Sequence, residues 1–139
     1  MKKVFIDTNV LLDLLLERDP WANDAAILFS MADRKELELL CCSLSFSTAV
    51  YLMQRFNYTR NEIVKKLSIV KSICSITTVN DAVINRMLQS DFNDLEDAIQ
   101  YYSALAFGAE AIVTRNTKDY SDARIPVLSP QEFLQQNDK

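Results

Sequence analysis

Short apolar runs alternate along the chain with longer stretches whose apolar residues recur every three or four positions. The first run, residues 3–6, has three apolar strand formers after Lys3, so it predicts a buried strand. A helix follows at once, from residue 9 to about 16. Asp19-Pro20 reads as an N-cap with proline at the first helical position, opening a helix to about residue 35 on Trp21, Ala25, Leu28 and Phe29. A strand near 38–42 and a helix from about 47 to 55 come next. Thr59-Arg60-Asn61-Glu62 is a capping box, and the helix it opens puts Ile63, Leu67 and Val70 on one face. Residues 73–76 predict the third strand. Asn80 caps a helix to about 89. Another runs from about 94 to 107, with Gly108 as the stop beyond its end. Residues 111–114 and 125–128 supply two more strands. A second capping box, Ser129-Pro130-Gln131-Glu132, opens a short last helix.

Strands that alternate with helices imply an α/β fold, a mainly parallel sheet of about five strands covered on both faces. Crossovers in such sheets are right-handed, so the C-terminal ends of the strands share one edge. Ligand and catalytic groups gather at that edge. Asp7 and the loop after Thr114 fall along it.

The chain has 139 residues, the size of one ordinary domain, and is read as a single unit, 1–139. It has no run of roughly 18 apolar residues, so no membrane span is expected. The apolar stretch 10–16 is shorter than that, contains Asp13 and lacks a cleavage-type site, so it does not read as a signal peptide. Cys41, Cys42 and Cys74 form an odd set without C-x-x-C spacing. They read as reduced, core-packing thiols of a cytoplasmic protein.

Two absences narrow the chemistry. The chain has no histidine, which removes Ser-His-Asp hydrolysis and histidine-based zinc sites. It has one glycine, which removes glycine-rich phosphate loops. Catalysis must then come from carboxylates, hydroxyls, amides, lysine or arginine. The net charge of −4 counts mildly against a nucleic-acid partner, although a metal site gathers acids locally.

Three places supply oxygen ligands at the sheet edge. The first is Asp7 with Thr8 and Asn9. The second is Asp94 with Glu96 and Asp97, in the first turn of a helix. The third is Asn116 and Asp119, in the loop after the fourth strand, with Arg115 and Lys118 beside them. Each has an ordinary reading: a helix cap for Asp7, compensation of a helix terminus for Asp94 and Asp97, turn formation for Asn116 and Asp119. Together they point elsewhere, because several carboxylates at one edge repel and a bound cation is the usual remedy. Helical spacing puts Asp94, Asp97 and Tyr101 on one face, with Leu95, Ile99, Tyr102, Leu105 and Ala106 as the apolar face.

Three segments carry a family resemblance. Val4-Phe5-Ile6-Asp7-Thr8-Asn9-Val10-Leu11-Leu12-Asp13 resembles the opening of PIN-domain nucleases. Asp97-Ala98-Ile99-Gln100-Tyr101-Tyr102-Ser103-Ala104-Leu105 with Gly108-Ala109 is similar to their second-half helix. Ile112-Val113-Thr114-Arg115-Asn116-Thr117-Lys118-Asp119-Tyr120 resembles their last acidic loop. The order and spacing are kept over nearly the whole chain, and the size is most similar to VapC-type toxins of bacterial toxin–antitoxin pairs.

The resemblance implies a three-layer α/β/α sandwich and a ribonuclease dependent on Mg²⁺ or Mn²⁺. It implies that Asp7, Asp97 and Asp119 are the metal-binding and catalytic carboxylates. Thr8, Asn9 and Asn116 are supporting residues, and Asp94 and Glu96 are less certain members. It further implies an RNA substrate, a small antitoxin partner and a homodimer. One position departs from the family: where a glutamate is usual on the helix after the second strand, this chain has Thr48. Arg115 and Lys118 are expected to steer phosphate, with solvated loop charges as the alternative. The rival reading is a PIN-like module that binds RNA or a protein without cutting. Haloacid-dehalogenase-like phosphatases need a second acid where Asn9 stands, and receiver domains need an acidic pair that is missing.

Overall fold

The computed structural model describes residues 1–137. Its elements follow the chain as β1 (Lys3–Ile6), α1 (Thr8–Leu15), α2 (Ala22–Asp33), β2 (Glu38–Cys42), α3 (Ser43–Arg55), α4 (Arg60–Ile73), β3 (Ser75–Thr77), α5 (Asp81–Leu88), α6 (Leu95–Ala106), β4 (Ala111–Val113), a 3-10 turn (Thr117–Tyr120), β5 (Val127–Leu128) and α7 (Pro130–Gln136). The five strands form one sheet in the order β3-β2-β1-β4-β5, with every pairing parallel. The chain winds outward from β1 to β3, then returns to place β4 on the other side of β1. The β1/β4 boundary is thus the topological switch point, where a crevice opens beyond the strand ends.

Side chains alternate across a strand, so one sheet feeds two cores. Val4, Ile6, Leu39, Cys41 and Val113 face one way and pack with α1, α2, α3, α4 and α7. Phe5, Leu40, Cys42 and Ile112 face the other way, onto Ala98, Tyr101 and Ala104 of α6 and onto Phe92 and Tyr120. The α/β/α layering is as expected. All three cysteines are buried and free.

Local signals that close on themselves hold. Thr59 and Ser129 each form a full capping box, with Pro130 at the start of α7. Asn80 caps α5 through the Val83 amide at 3.0 Å. Gly108 has φ +84°, the left-handed region that glycine enters freely.

Elsewhere the boundaries move. Asp19-Pro20 does not cap a helix: α2 begins at Ala22, after a cis Asp19–Pro20 bond. Helix α3 starts at Ser43, four residues before the expected start at 47, directly off β2. Ile73 closes α4 instead of opening the third strand. The last strand is only Val127–Leu128. Short apolar runs are compatible with either element, and tertiary packing decides between them.

The expected apolar face of α6 is also displaced. Ala98, Tyr101 and Ala104 are its buried positions, with Gln100 and Ser103, while Leu95 is 51% exposed. Small residues let this helix lie close on the sheet. Among the described residues, no helix is long and apolar enough to cross a membrane.

Candidate active site

Asp7 is the first residue beyond β1, and its amide still donates to Val113 O (2.9 Å), extending the β1–β4 ladder. Its carboxylate is therefore carried to the switch point. Asp7 holds the N-cap position of α1, yet its side chain makes no capping bond. Instead Oδ2 accepts hydrogen bonds from Thr114 Oγ1 (2.8 Å), Tyr120 OH (3.2 Å) and Asn9 Nδ2 (3.4 Å). Burial pushes the Asp7 carboxyl above the ordinary aspartate range, against bonds from Thr114, Tyr120, the Thr8 backbone and Gln100 that favour the charged form. Tyr120 is itself buried beside Asp7 and Asp97, which pushes its phenol further up. It therefore stays protonated and donates.

Helix α6 brings the second carboxylate. Asp94 caps it, its Oδ1 accepting from the amides of Glu96 (2.9 Å) and Asp97 (3.2 Å). The helix-cap role thus applies to Asp94. Asp97, in the first turn, is half-buried. Its pKa is raised to about 7, first by burial and then by the negative charges of Asp7, Asp94, Asp119 and Glu96. Glu96 is exposed.

One turn on, Gln100 is buried, and its Oε1 accepts from Thr8 N (3.2 Å) and Thr8 Oγ1 (3.2 Å). Thr8 Oγ1 also lies 2.6 Å from Ser45 Oγ, in the first turn of α3. Three helices thereby meet on one threonine, and the start of α1 is fixed.

The third contribution follows β4. Thr114, buried, binds Asp7 and accepts from the Asn116 amide (3.1 Å). The chain then turns through the 3-10 segment, where the Asp119 amide donates to Asn116 O (3.0 Å). Asn116, Lys118 and Asp119 are exposed. Asn9 ties this loop down: its Nδ2 donates to Thr114 Oγ1 (3.2 Å) and its Oδ1 accepts from the Arg115 amide (3.3 Å).

Two expected residues stand differently. The Arg115 guanidinium is not free to meet phosphate, because it forks onto the buried Asp13 at 2.7 and 3.1 Å and lies 3.9 Å over the Trp21 ring. Thr48 turns its hydroxyl back to Leu44 O of its own helix (3.3 Å). The α3 residue that reaches the site loop is Ser45, and α3 carries no carboxylate at all.

Sequence reasoning placed Thr114 at the sheet edge but gave no role to it, nor to Gln100, Ser45, Tyr120 and Asp13. Signals existed for some: Gln100 is three residues beyond Asp97 on one helix face, and Thr114 ends the strand beside β1. Ser45 and Asp13 reach the site only through packing.

The donors are all oxygens, the set a hard divalent cation takes. Their mutual repulsion is what a cation relieves. Among the described residues, no three carboxylate or thiol groups stand close enough to make a ready-formed metal cage. The chemistry of the donor set fits a cation.

The chain belongs to the PIN domain family, whose model matches residues 3–118. The ribonuclease VapC1 of Aquifex aeolicus is 25% identical over 139 residues, covering 96% of this chain and 94% of that protein. A toxin–antitoxin complex from Klebsiella pneumoniae has a chain that superposes with a TM-score of 0.67 at 20% identity, over 91% of this chain and 97% of its own. In VapBC2 from Rickettsia felis, bound to a DNA fragment from its promoter, a chain superposes with a TM-score of 0.64 at 17% identity, again over 91% and 97%. The chain is thus similar in fold to VapC-type proteins.

Proposed function

We propose that this protein is a divalent-cation-dependent endoribonuclease, the toxin of a toxin–antitoxin pair acting in the cytoplasm. The observation that carries the reading is the Asp7 carboxylate at the switch point, held by Thr114, Tyr120 and Asn9, with the half-buried Asp97 of α6 raised to about 7 by burial and then by the negative charges of Asp7, Asp94, Asp119 and Glu96. The likeness to the Aquifex aeolicus ribonuclease supports it.

Asp7, Asp97 and Asp119 would hold Mg²⁺ or Mn²⁺. When bound, such an ion supplies Lewis-acid stabilisation of a phosphate oxygen and a more acidic water for in-line attack on phosphorus. The chain's own residues prepare the site. Thr114, Tyr120 and Asn9 orient the Asp7 carboxylate. Gln100 and Ser45 fix Thr8, and with it the start of α1. Asp97 must give up its proton to act as a ligand. The exposed Lys118 is left to meet an RNA phosphate, while Arg115 is engaged with Asp13.

The toxin reading includes a small antitoxin and a homodimer. The likeness to toxin–antitoxin complexes supports the antitoxin. Tyr51 of α3 is 56% and Phe56, just beyond the end of that helix, 63% exposed, and Phe56 lines a cleft of about 440 Å³ with Leu16, Leu52 and Tyr58. Those apolar groups suit a helical partner.

A second reading is favoured by one observation: residues 39–61 contain no Asp or Glu, so no acid is offered from α3. On that reading the protein binds RNA or a partner without cutting. RNA cleavage with Mg²⁺ or Mn²⁺, comparing wild type with Asp7→Asn, separates the two. The nuclease reading expects metal-dependent cleavage that falls by more than about 100-fold in the variant, beyond the usual loss from a residue that only supports a ligand. Wild type that leaves all tested RNAs intact with either metal, yet retains RNA or antitoxin binding, supports the second.

A further inference from the structure

We propose that Asp13 is a positioning residue: through Arg115 it fixes the loop after β4, and so the distance of Asn116 and Asp119 from Asp7. Asp13 lies on the second turn of α1 and is 1% exposed, yet it carries two guanidinium partners. Arg115 reaches it with Nε (2.7 Å) and Nη2 (3.1 Å), the rigid fork geometry that lysine cannot reproduce. Arg18 reaches it with Nε (2.9 Å).

The two arms end in different places. Arg18 sends Nη2 to Asn9 O (3.2 Å), so its arm only joins the turn that follows α1 back to α1 itself. Arg115 belongs to the loop. Its amide is held by Asn9 Oδ1 (3.3 Å), and its guanidinium is stacked 3.9 Å over Trp21. After the bond from Thr114 N to Leu128 O (2.9 Å), the chain leaves the sheet. The Asp13–Arg115 fork then ties it back to α1, one residue before Asn116. A single buried carboxylate between two cations cannot be neutralised without leaving like charges face to face. Loss of Asp13 therefore pushes Arg115, and the loop it carries, off α1.

The consequence for metal binding rests on the ribonuclease reading; the placement of the loop does not. The test measures amide exchange at Arg115 and Asn116 in metal-free protein, together with Mn²⁺ affinity by calorimetry. It compares wild type with Asp13→Asn, Arg115→Lys and Arg18→Lys. Asp13→Asn and Arg115→Lys should speed exchange at these two amides about tenfold or more, leaving β1 and β4 amides protected. They should weaken Mn²⁺ by about 10–100-fold. Arg18→Lys should stay within about twofold at both readouts, which a merely structural ion pair would not predict. Equal effects of Arg18→Lys and Arg115→Lys, or wild-type exchange in Arg115→Lys, overturn the proposal. If Asp13→Asn fails to fold, the two arginine variants decide alone. Wild type that neither binds Mn²⁺ nor cleaves RNA sinks the ribonuclease reading, while the exchange comparison still decides the role of Asp13.

Discussion

Asp97 shows how one residue links stability and chemistry. Burial and four carboxylates raise it to about 7 from an ordinary value of 3.8. A carboxyl raised on folding is charged more easily in the unfolded chain. Its contribution is therefore fully present below pH about 4 and lost as pH rises through about 7. Without metal, the protein should lose about 1–2 kcal/mol from this group between pH 5 and 8, a figure discounted because the side chain is only half-buried. Asp97→Asn should flatten that dependence, as read by urea unfolding across the range. Divalent-cation affinity should run the opposite way, falling below pH 7 as Asp97 protonates. Gln100 offers a second residue-level test. Gln100→Leu removes the acceptor for both the amide and the hydroxyl of buried Thr8, and should cost about 1–3 kcal/mol in unfolding free energy. A loss near zero would mean that Thr8 finds another partner.

At the scale of elements, stability sits in ends that satisfy their own backbone. Helix α4 opens on a reciprocal capping box, with Glu62 Oε1 accepting from Thr59 N (2.8 Å) and Thr59 Oγ1 accepting from Glu62 N (3.2 Å). Thr59→Ala should destabilise the protein by about 1 kcal/mol in urea unfolding, without affecting the site. The Thr59 bonds hold the Glu62 carboxyl below its usual range, so this support is present above that range and fades as pH falls through it. Elements with such local closure were legible from sequence: both capping boxes, the Asn80 cap, and Gly108 beyond α6. Elements whose ends depend on the layer beneath were not. Helix α3 starts at Ser43, directly off β2, and its first turn carries Ser45 to Thr8, a contact between residues 37 apart. The expected helix start at Asp19-Pro20 failed although the residue types suit a cap, and α2 begins only at Ala22.

Across the whole molecule, the fold carries Asp7 to the switch point and sets Asp97 where the negative charges of Asp7, Asp94, Asp119 and Glu96 help to raise it, and on the proposed reading a cation relieves that repulsion. A cation binding only the folded form should then stabilise it by mass action. Mn²⁺ at about 100 times its dissociation constant should add about 2.7 kcal/mol, and chelation should remove it. Thermal melts with Mn²⁺ and with chelator, for wild type and Asp7→Asn, check this. An equal shift in both proteins would put the ion elsewhere.

The sequence by itself determined the parallel α/β layering, because the alternation of short apolar runs with amphipathic stretches is a local pattern. It also determined that Asp7, Asp97 and Asp119 follow strand β1, open helix α6 and lie in the loop after β4, because each is marked by its immediate neighbours. Only the tertiary structure decided what surrounds them. Gln100, Ser45 and Tyr120 become part of the site through contacts across 92, 37 and 113 residues. Arg115 is turned from the crevice to Asp13, 102 residues away. Such pairings depend on which strands become neighbours at the switch point and on which polar groups then find themselves buried together, and no local pattern in the chain encodes that.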